Sequence, residues 1–185
     1  MSLIALTLFL VLALIAARSY FLSFRAQKSA QYIGTSPAFD IRTHLSGPIQ
    51  SEGVIFGPTG RAVSRFVAEM EGSWEGSRGI LTERFHYSSG DVQNRAWHLT
   101  MGNDGTFTAE ADDIIGKAHG RMEGATVRMT YRIRLKEDAG GHVLDVTDWM
   151  YLMENGAIMN KSEMRKAGIK VAELIATMRG QNAAA

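Results

Sequence analysis

The chain contains no cysteine. That excludes disulfide bonds, thiolate metal sites, a cysteine nucleophile and a lipid-modified N-terminal cysteine. Charge of one sign is equally scarce: twenty basic residues against nineteen acidic leave a formal net charge of +1. No Arg/Lys-rich stripe with interleaved aromatics appears, so there is no electrostatic case for nucleic acid. The five histidines (His44, His86, His98, His119, His142) are scattered, with no HxH or HExxH pair, which argues against a zinc or haem site. GxSxG is missing, and neither Ser64 nor Ser162 has His/Asp partners in a triad pattern. Gly57-Pro58-Thr59-Gly60-Arg61 lacks the P-loop lysine and reads as a hairpin turn. Proline is nearly missing too, three residues against nineteen glycines, a balance that suits an all-β chain with many tight turns.

What is present falls into two parts. Leu3 to Ala17 is an apolar run broken only by Thr7, and Tyr20, Phe21, Leu22 and Phe24 extend it, with Arg18 embedded. A hydrocarbon core needs roughly twenty apolar residues in a helix, which this run reaches if Arg18 snorkels. No basic residue precedes it and no clean small-x-small site ends it, so an attached membrane helix over 1–24 is favoured over a cleaved signal peptide. Arg18, Arg25 and Lys28 follow the run, and the positive-inside bias alone would place the rest of the chain in the cytoplasm. Residues 25–38 are polar and read as a tether, 39–180 as the folded domain, and 181–185 as a disordered tail. Phe39–Leu45 reads as a short helical turn or lead-in before Gly47-Pro48.

Within 39–180, short alternating segments recur between turn signals: Ile49–Phe56, Ala62–Glu71, Ile80–Tyr87, Val92–Met101, Thr106–Asp112, Lys117–Met122, Ala125–Leu135, Val143–Met153 and Ala157–Met164. The tail KAGIKVAELIATMRG fits a helical face or a last closing strand, and the strand is preferred. No segment is long enough for a βαβ crossover, so the sheet is an antiparallel meander. Nine or ten such strands close most economically into an up-and-down barrel, which removes exposed edges; a two-sheet sandwich is the alternative.

Side chains alternate along a strand. In the hairpin Gly79–Thr100, turning at Ser88-Ser89-Gly90-Asp91, the phase that points Leu81, Phe85, Tyr87, Trp97 and Leu99 inward carries Glu83 and Arg95 with them. His86 and His98 fall outside. The same phase brings Asp148 inward with Leu144, Val146, Met150 and Leu152. It brings Asn160 with Ile158 and Met164, Tyr131 with Val127, Met129 and Ile133, and places Asp113 at the end of the strand that carries Phe107 and Ala109. The candidate ligand-binding set is therefore Glu83, Arg95, Trp97, Asp113, Tyr131, Asp148 and Asn160. Several acids around one guanidinium cannot all stay ionised in a dry cavity, so at least one carboxyl should titrate high. Such a pocket suits a ligand with a polar head and an apolar body, the tail lying against Phe66, Met70, Phe85, Val127, Met129, Tyr131 and Ile133. No catalytic group, cofactor or metal is assigned, because nothing in the spacing fixes the separation of paired carboxylates. Two rivals stay open: a lipid-modifying enzyme that uses buried carboxylates, and a scaffold whose barrel is filled by its own side chains. Trp74 is expected to pack at a barrel end, and Trp149 to face outward or cover the rim.

The order of motifs FDIRTHLSGPIQSEGVI, Gly72-x-Trp74, LTERFHYSSGDVQNRAWHL, ADDIIGKAHGRMEG and TDWMYLMENGAIMNKSEMRKAGIKV resembles an uncharacterised bacterial family catalogued as domain of unknown function 3833. The resemblance runs from about Phe39 to the end. It implies a small lipocalin-like (calycin) β-barrel held at a bacterial envelope membrane, with Glu83, Arg95, Trp97, Asp112, Asp113, Asp148, Trp149 and Asn160 on the family's polar motifs. Many members look like acylated lipoproteins; this chain has no cysteine to acylate, and its apolar N-terminus would take the anchor's place. The family's envelope setting implies a periplasmic barrel on the inner membrane, against the charge bias. Members often stand beside enzymes that modify acyl chains, which implies a fatty acyl or isoprenoid ligand.

Overall fold

Along the strand Ala62–Glu75, every second residue from Phe66 to Gly72 turns away from water. Phe66, Ala68, Met70 and Gly72 are buried while Val67, Glu69 and Glu71 are exposed. That two-residue period needs one wet face and one dry face, and curling the sheet onto itself supplies both. The computed structural model describes residues 2–137 and 140–181. Among them, ten strands form one closed antiparallel barrel in sequence order: β1 (Gly47–Phe56), β2 (Ala62–Glu75), β3 (Arg78–Tyr87), β4 (Val92–Met101), β5 (Thr106–Glu110), β6 (Ala118–Glu123), β7 (Thr126–Arg134), β8 (Val143–Leu152), β9 (Ile158–Lys166) and β10 (Ile169–Gly180).

The tail is the closing strand. β10 pairs with β1 from Ile49↔Gly180 to Phe56↔Glu173, which leaves no free edge. The helical alternative for this segment falls away, since its backbone groups are taken by β1 on one side and β9 on the other. Several strand ends differ from the sequence expectation. β2 runs on to Glu75, β5 stops at Glu110 and β9 reaches Lys166. Register shifts occur at Ile55/Phe56 and at Lys170/Ala172, at one end of the barrel. β3, β4 and β8 pair without a shift along the stretches that carry Glu83, Arg95 and Asp148, so their phase holds.

One end of the barrel is floored. The single-turn helix α2 (Ile41–His44) is capped by Asp40, whose carboxylate accepts from the Arg42 amide at 2.9 Å, and it buries Ile41 with Phe39 and Leu45. Trp74 packs at this end, and its indole N–H donates to the Leu45 carbonyl at 2.9 Å. Gly72 passes beneath the same carbonyl: a Cβ there would lie 2.0 Å from the Leu45 oxygen.

Residues 25–38, read as a tether, lie against the outer wall together with Phe24. Two short 3₁₀ turns (Phe24–Ala26 and Ser29–Tyr32) bring Phe24 beneath the Lys161 ammonium, 5.3 Å from ring centre, and Tyr32 onto Trp149 at 5.3 Å. The hydroxyls of Tyr32 and Tyr151 both donate to Gln27 Oε1, at 2.6 and 2.8 Å. The Phe39 amide then donates to the Gly124 carbonyl at 2.8 Å, and the chain turns under the barrel. Trp149 does face outward, opposite Arg128, and this strap buries it completely.

The membrane-spanning expectation is not met by the helix as formed. α1 (Leu3–Phe21) has Arg18 in its last turn, and its apolar part, broken only by Thr7, ends at Ala17. At 1.5 Å per residue that part rises only about 22 Å, against a hydrocarbon core of about 30 Å. No helix among the described residues is long and apolar enough to cross a membrane. Of the expected disordered tail, Gln181 donates its amide to the Pro48 carbonyl at 2.8 Å, and 182–185 lie outside the described residues.

Because Leu45 is held by backbone and indole contacts, it cannot retreat from an added methyl group. Gly72→Ala should lower unfolding free energy by about 1–3 kcal/mol. Urea titration checks this, with a reduced midpoint at unchanged m-value as the expected result.

Candidate functional site

The inward phase of the strands leaves an open interior. A cavity of about 850 Å³ runs from Ile41 and Leu45 at the floored end to Ser89, Asp91 and Lys136 at the other. Phe66, Met70, Leu81, Phe85, Met129 and Ile133 give it an apolar wall. The volume is within the usual range for small-molecule sites, roughly 300–1,000 Å³. The barrel is thus not filled by its own side chains. Val127, expected against the ligand tail, is buried without lining the cavity: it sits at the floored end of β7, opposite Met122 and Met150.

All seven candidate residues line this cavity. β3 and β4 pair Glu83 directly with Arg95, and the link between β5 and β6 delivers Asp113. The Arg95 guanidinium donates through Nε and Nη2 to Asp113 Oδ2, at 3.1 and 2.5 Å. Its Nη1 lies 3.7 Å from Glu83 Oε2, an ion pair too long for a hydrogen bond. Phe85 and Trp97 flank the cation, their ring centres 5.9 and 5.7 Å from it. Trp97 meets Tyr131 edge-on at 5.4 Å, and Tyr131 leads on to Asp148.

Asn160 does not join the Arg95 group. Its amide donates to the Trp149 carbonyl at 3.2 Å, and its Oδ1 accepts from the Ser162 hydroxyl at 3.4 Å. Ser162 is a site residue that sequence reasoning passed over. It is buried, lines the cavity and interacts with Asp148. The signal was available, because the phase that turns Asn160 and Met164 inward must turn Ser162 inward too.

Burial dominates the electrostatics. It pushes the Glu83 carboxyl up to about 7, although the Arg95 charge and the Trp97 indole pull the other way. Asp148 is likewise raised by burial, which hydrogen bonds from Ser162 and Tyr131 offset only in part. The Tyr131 phenol is pushed well above its ordinary range by burial and by Asp148. Burial opposes the charge on Arg95, yet Glu83 and Asp113 outweigh it and hold the guanidinium protonated. Glu83 Oε2, Asp113 Oδ1 and Asp148 Oδ1 are buried with no hydrogen-bonding partner. Among the described residues, no cluster of three or more His, Cys, Asp or Glu side chains is arranged to hold a metal ion.

The raised Glu83 carboxyl makes stability depend on pH. Between the ordinary glutamate value near 4.5 and about 7, the folded chain holds a proton that the unfolded chain has released. Stability therefore falls as pH rises through that window, by up to about 3 kcal/mol from this group. Asp148 contributes with the same sign. Urea unfolding from acid to neutral pH should show the decline, and Glu83→Gln should flatten it.

A search of curated protein sequences finds no match. Among solved structures, the barrel is similar to the crystal structure of Rv2717c from M. tuberculosis. The TM-score is 0.56 at 14% identity, over 80% of this chain and 99% of that one. It is also similar to the S-type phycobiliprotein lyase CPES from Guillardia theta, with a TM-score of 0.55 at 5% identity, over 75% of this chain and 89% of that one. At those identities the likeness is one of fold, a lipocalin-like barrel. The sequence itself goes further: a family model matches residues 19–180, and the chain belongs to the family described as Protein of unknown function (DUF3833).

Proposed function

We propose that the protein is a membrane-anchored carrier that holds a small amphipathic or lipid ligand at a bacterial envelope membrane. The observation that carries this reading is the cavity of about 850 Å³, apolar along most of its wall and polar at one cluster. A fatty acyl or isoprenoid tail lies against Phe66, Met70, Phe85, Met129 and Ile133, and the head sits by Glu83, Arg95 and Asp148. α1 supplies the attachment. Ile4, Phe9 and Leu10, spread round the helix axis, are 81%, 64% and 56% exposed. Burying such surface among acyl chains gains roughly 25 cal/mol per Å². The barrel stands on the periplasmic side of the inner membrane, where tethering lets it collect or deliver lipid without free diffusion.

A second reading, a lipid-modifying enzyme, draws on Glu83 alone. A carboxyl held near 7 inside a closed site has the property a general acid–base needs. Turnover of a bound lipid, lost in Glu83→Gln with the fold intact, would favour it.

Leu174 lines the cavity from β10 and is only half-buried, so Leu174→Trp adds bulk into open space. Mass spectrometry of the detergent-released full chain should find co-purifying lipid in the wild type. The variant should retain roughly a tenth or less, the scale of losing about 1.4 kcal/mol of binding, with its melting temperature kept. Equal lipid in both would count against the carrier. Placement is tested through the missing cysteines: Thr59→Cys, on the exposed β1–β2 turn, provides a unique thiol. An impermeant maleimide should label it in intact spheroplasts; labelling only after lysis would put the barrel in the cytoplasm.

A further inference from the structure

Two of the three donor nitrogens of Arg95 are already committed, and the third makes no hydrogen bond. Nε and Nη2 are held by Asp113, Nη1 faces Glu83, and Phe85 and Trp97 cover the flanks of the cation. A ligand carboxylate that reached Nη1 would lie between the Glu83 and Asp113 carboxyls, where like charges repel it.

The acceptors nearby are not committed. Glu83 Oε2, Asp113 Oδ1 and Asp148 Oδ1 meet no protein donor, and all three residues line the cavity. The Glu83 side chain is 10% exposed and Asp148 is 7% exposed, so neither oxygen is served by bulk water. The part of the cavity around Arg95 thus holds three carboxyls and one guanidinium among the described residues. The other basic residues that line it, Arg134 and Lys136, stand at the end of β7 and in the loop beyond it.

Buried acceptors without donors, in a site with an excess of acid, select the opposite chemistry. We infer that the head group this cavity recognises is an alkyl ammonium, a cation with several N–H donors, and not a carboxylate. The inference rests on the ligand-binding reading of the same cavity and narrows its ligand class. The ammonium would set its N–H groups against Glu83, Asp148 and Asp113, with its tail along Met70, Met129 and Ile133.

The groups facing Glu83 are Arg95 on β4, Asp113 on the β5–β6 link, Tyr131 on β7, Asp148 on β8 and, on its own strand, Tyr87; on β2 the partner is Met70. Binding a cation favours the ionised form of Glu83, so affinity for an amine rises as this carboxyl loses its proton.

The test uses the full chain in maltoside micelles, followed by tryptophan emission, because Trp97 lines the cavity. Dodecylamine, dodecanoate and dodecan-1-ol share a tail and differ in the head. At neutral pH dodecylamine should bind at least about tenfold more tightly than dodecanoate, on the scale of one charge-assisted hydrogen bond. Asp148→Asn should weaken dodecylamine by about tenfold and leave dodecan-1-ol nearly unchanged. Dodecylamine affinity should increase from about pH 6 to about pH 8. Dodecanoate binding as tightly as the amine, or dodecan-1-ol doing so, overturns the head-group assignment while leaving the carrier standing. Failure of all three to move the emission beyond the micelle background removes the carrier reading, and this inference with it.

Discussion

Arg95 cannot leave its place in the barrel without stranding two carboxylates in a low-dielectric interior. Removing one member of a buried ion pair typically costs about 3–5 kcal/mol, because the partner keeps its charge and loses its compensation. Here the cation gathers acids from β3 and from the β5–β6 link, and the Trp97 ring beside it touches Tyr131 on β7. The polar contents of the cavity are therefore organised by one guanidinium that reaches several elements. The arrangement is also over-supplied with acid, and burial resolves the excess by raising Glu83 and Asp148. The cavity therefore pairs one cation with more acid than it can neutralise.

The rest of the fold keeps that interior open and bounded. α2 blocks one end, with Ile41 and Leu45 turned into the cavity as its floor. The strap from Phe24 to Phe39 covers the outer wall of β8 and turns an indole that would otherwise face water into one of the most buried groups in the molecule. The strap also joins α1 to the floor, so that helix and the closed end of the barrel belong to one continuous stretch of chain.

Much of this was legible because a strand has a period of two. Once Phe85 and Trp97 were assigned to the interior, Glu83 and Arg95 had to follow, and the pairing of β3 with β4 sets them opposite each other. Asp148, Asn160 and Tyr131 were reached in the same way. Ser162 obeys the same parity and was overlooked only because hydroxyls were weighed as nucleophiles. Other features lie beyond any periodicity. Nothing in β8 says what will cover an outward Trp149, since the cover comes from residues more than a hundred positions earlier. Val127 has the right phase, but phase does not say how far along the axis the floor rises. The hydropathy of the first helix invited a spanning length, while Arg18 and its neighbours end the apolar part sooner.

The β1–β10 seam has a kinetic consequence. Thr177 donates to Glu52 across it, 125 positions away along the chain. Contacts of such separation must be formed against a large loop-closure entropy, and topologies rich in them fold slowly. The cylinder cannot seal until its last strand has been synthesised, so during translation the nascent sheet carries two unpaired edges and an exposed greasy lining. The residues of the floor, Phe39 to Leu45, precede every strand, so the plug for that lining is already made when the seam shuts.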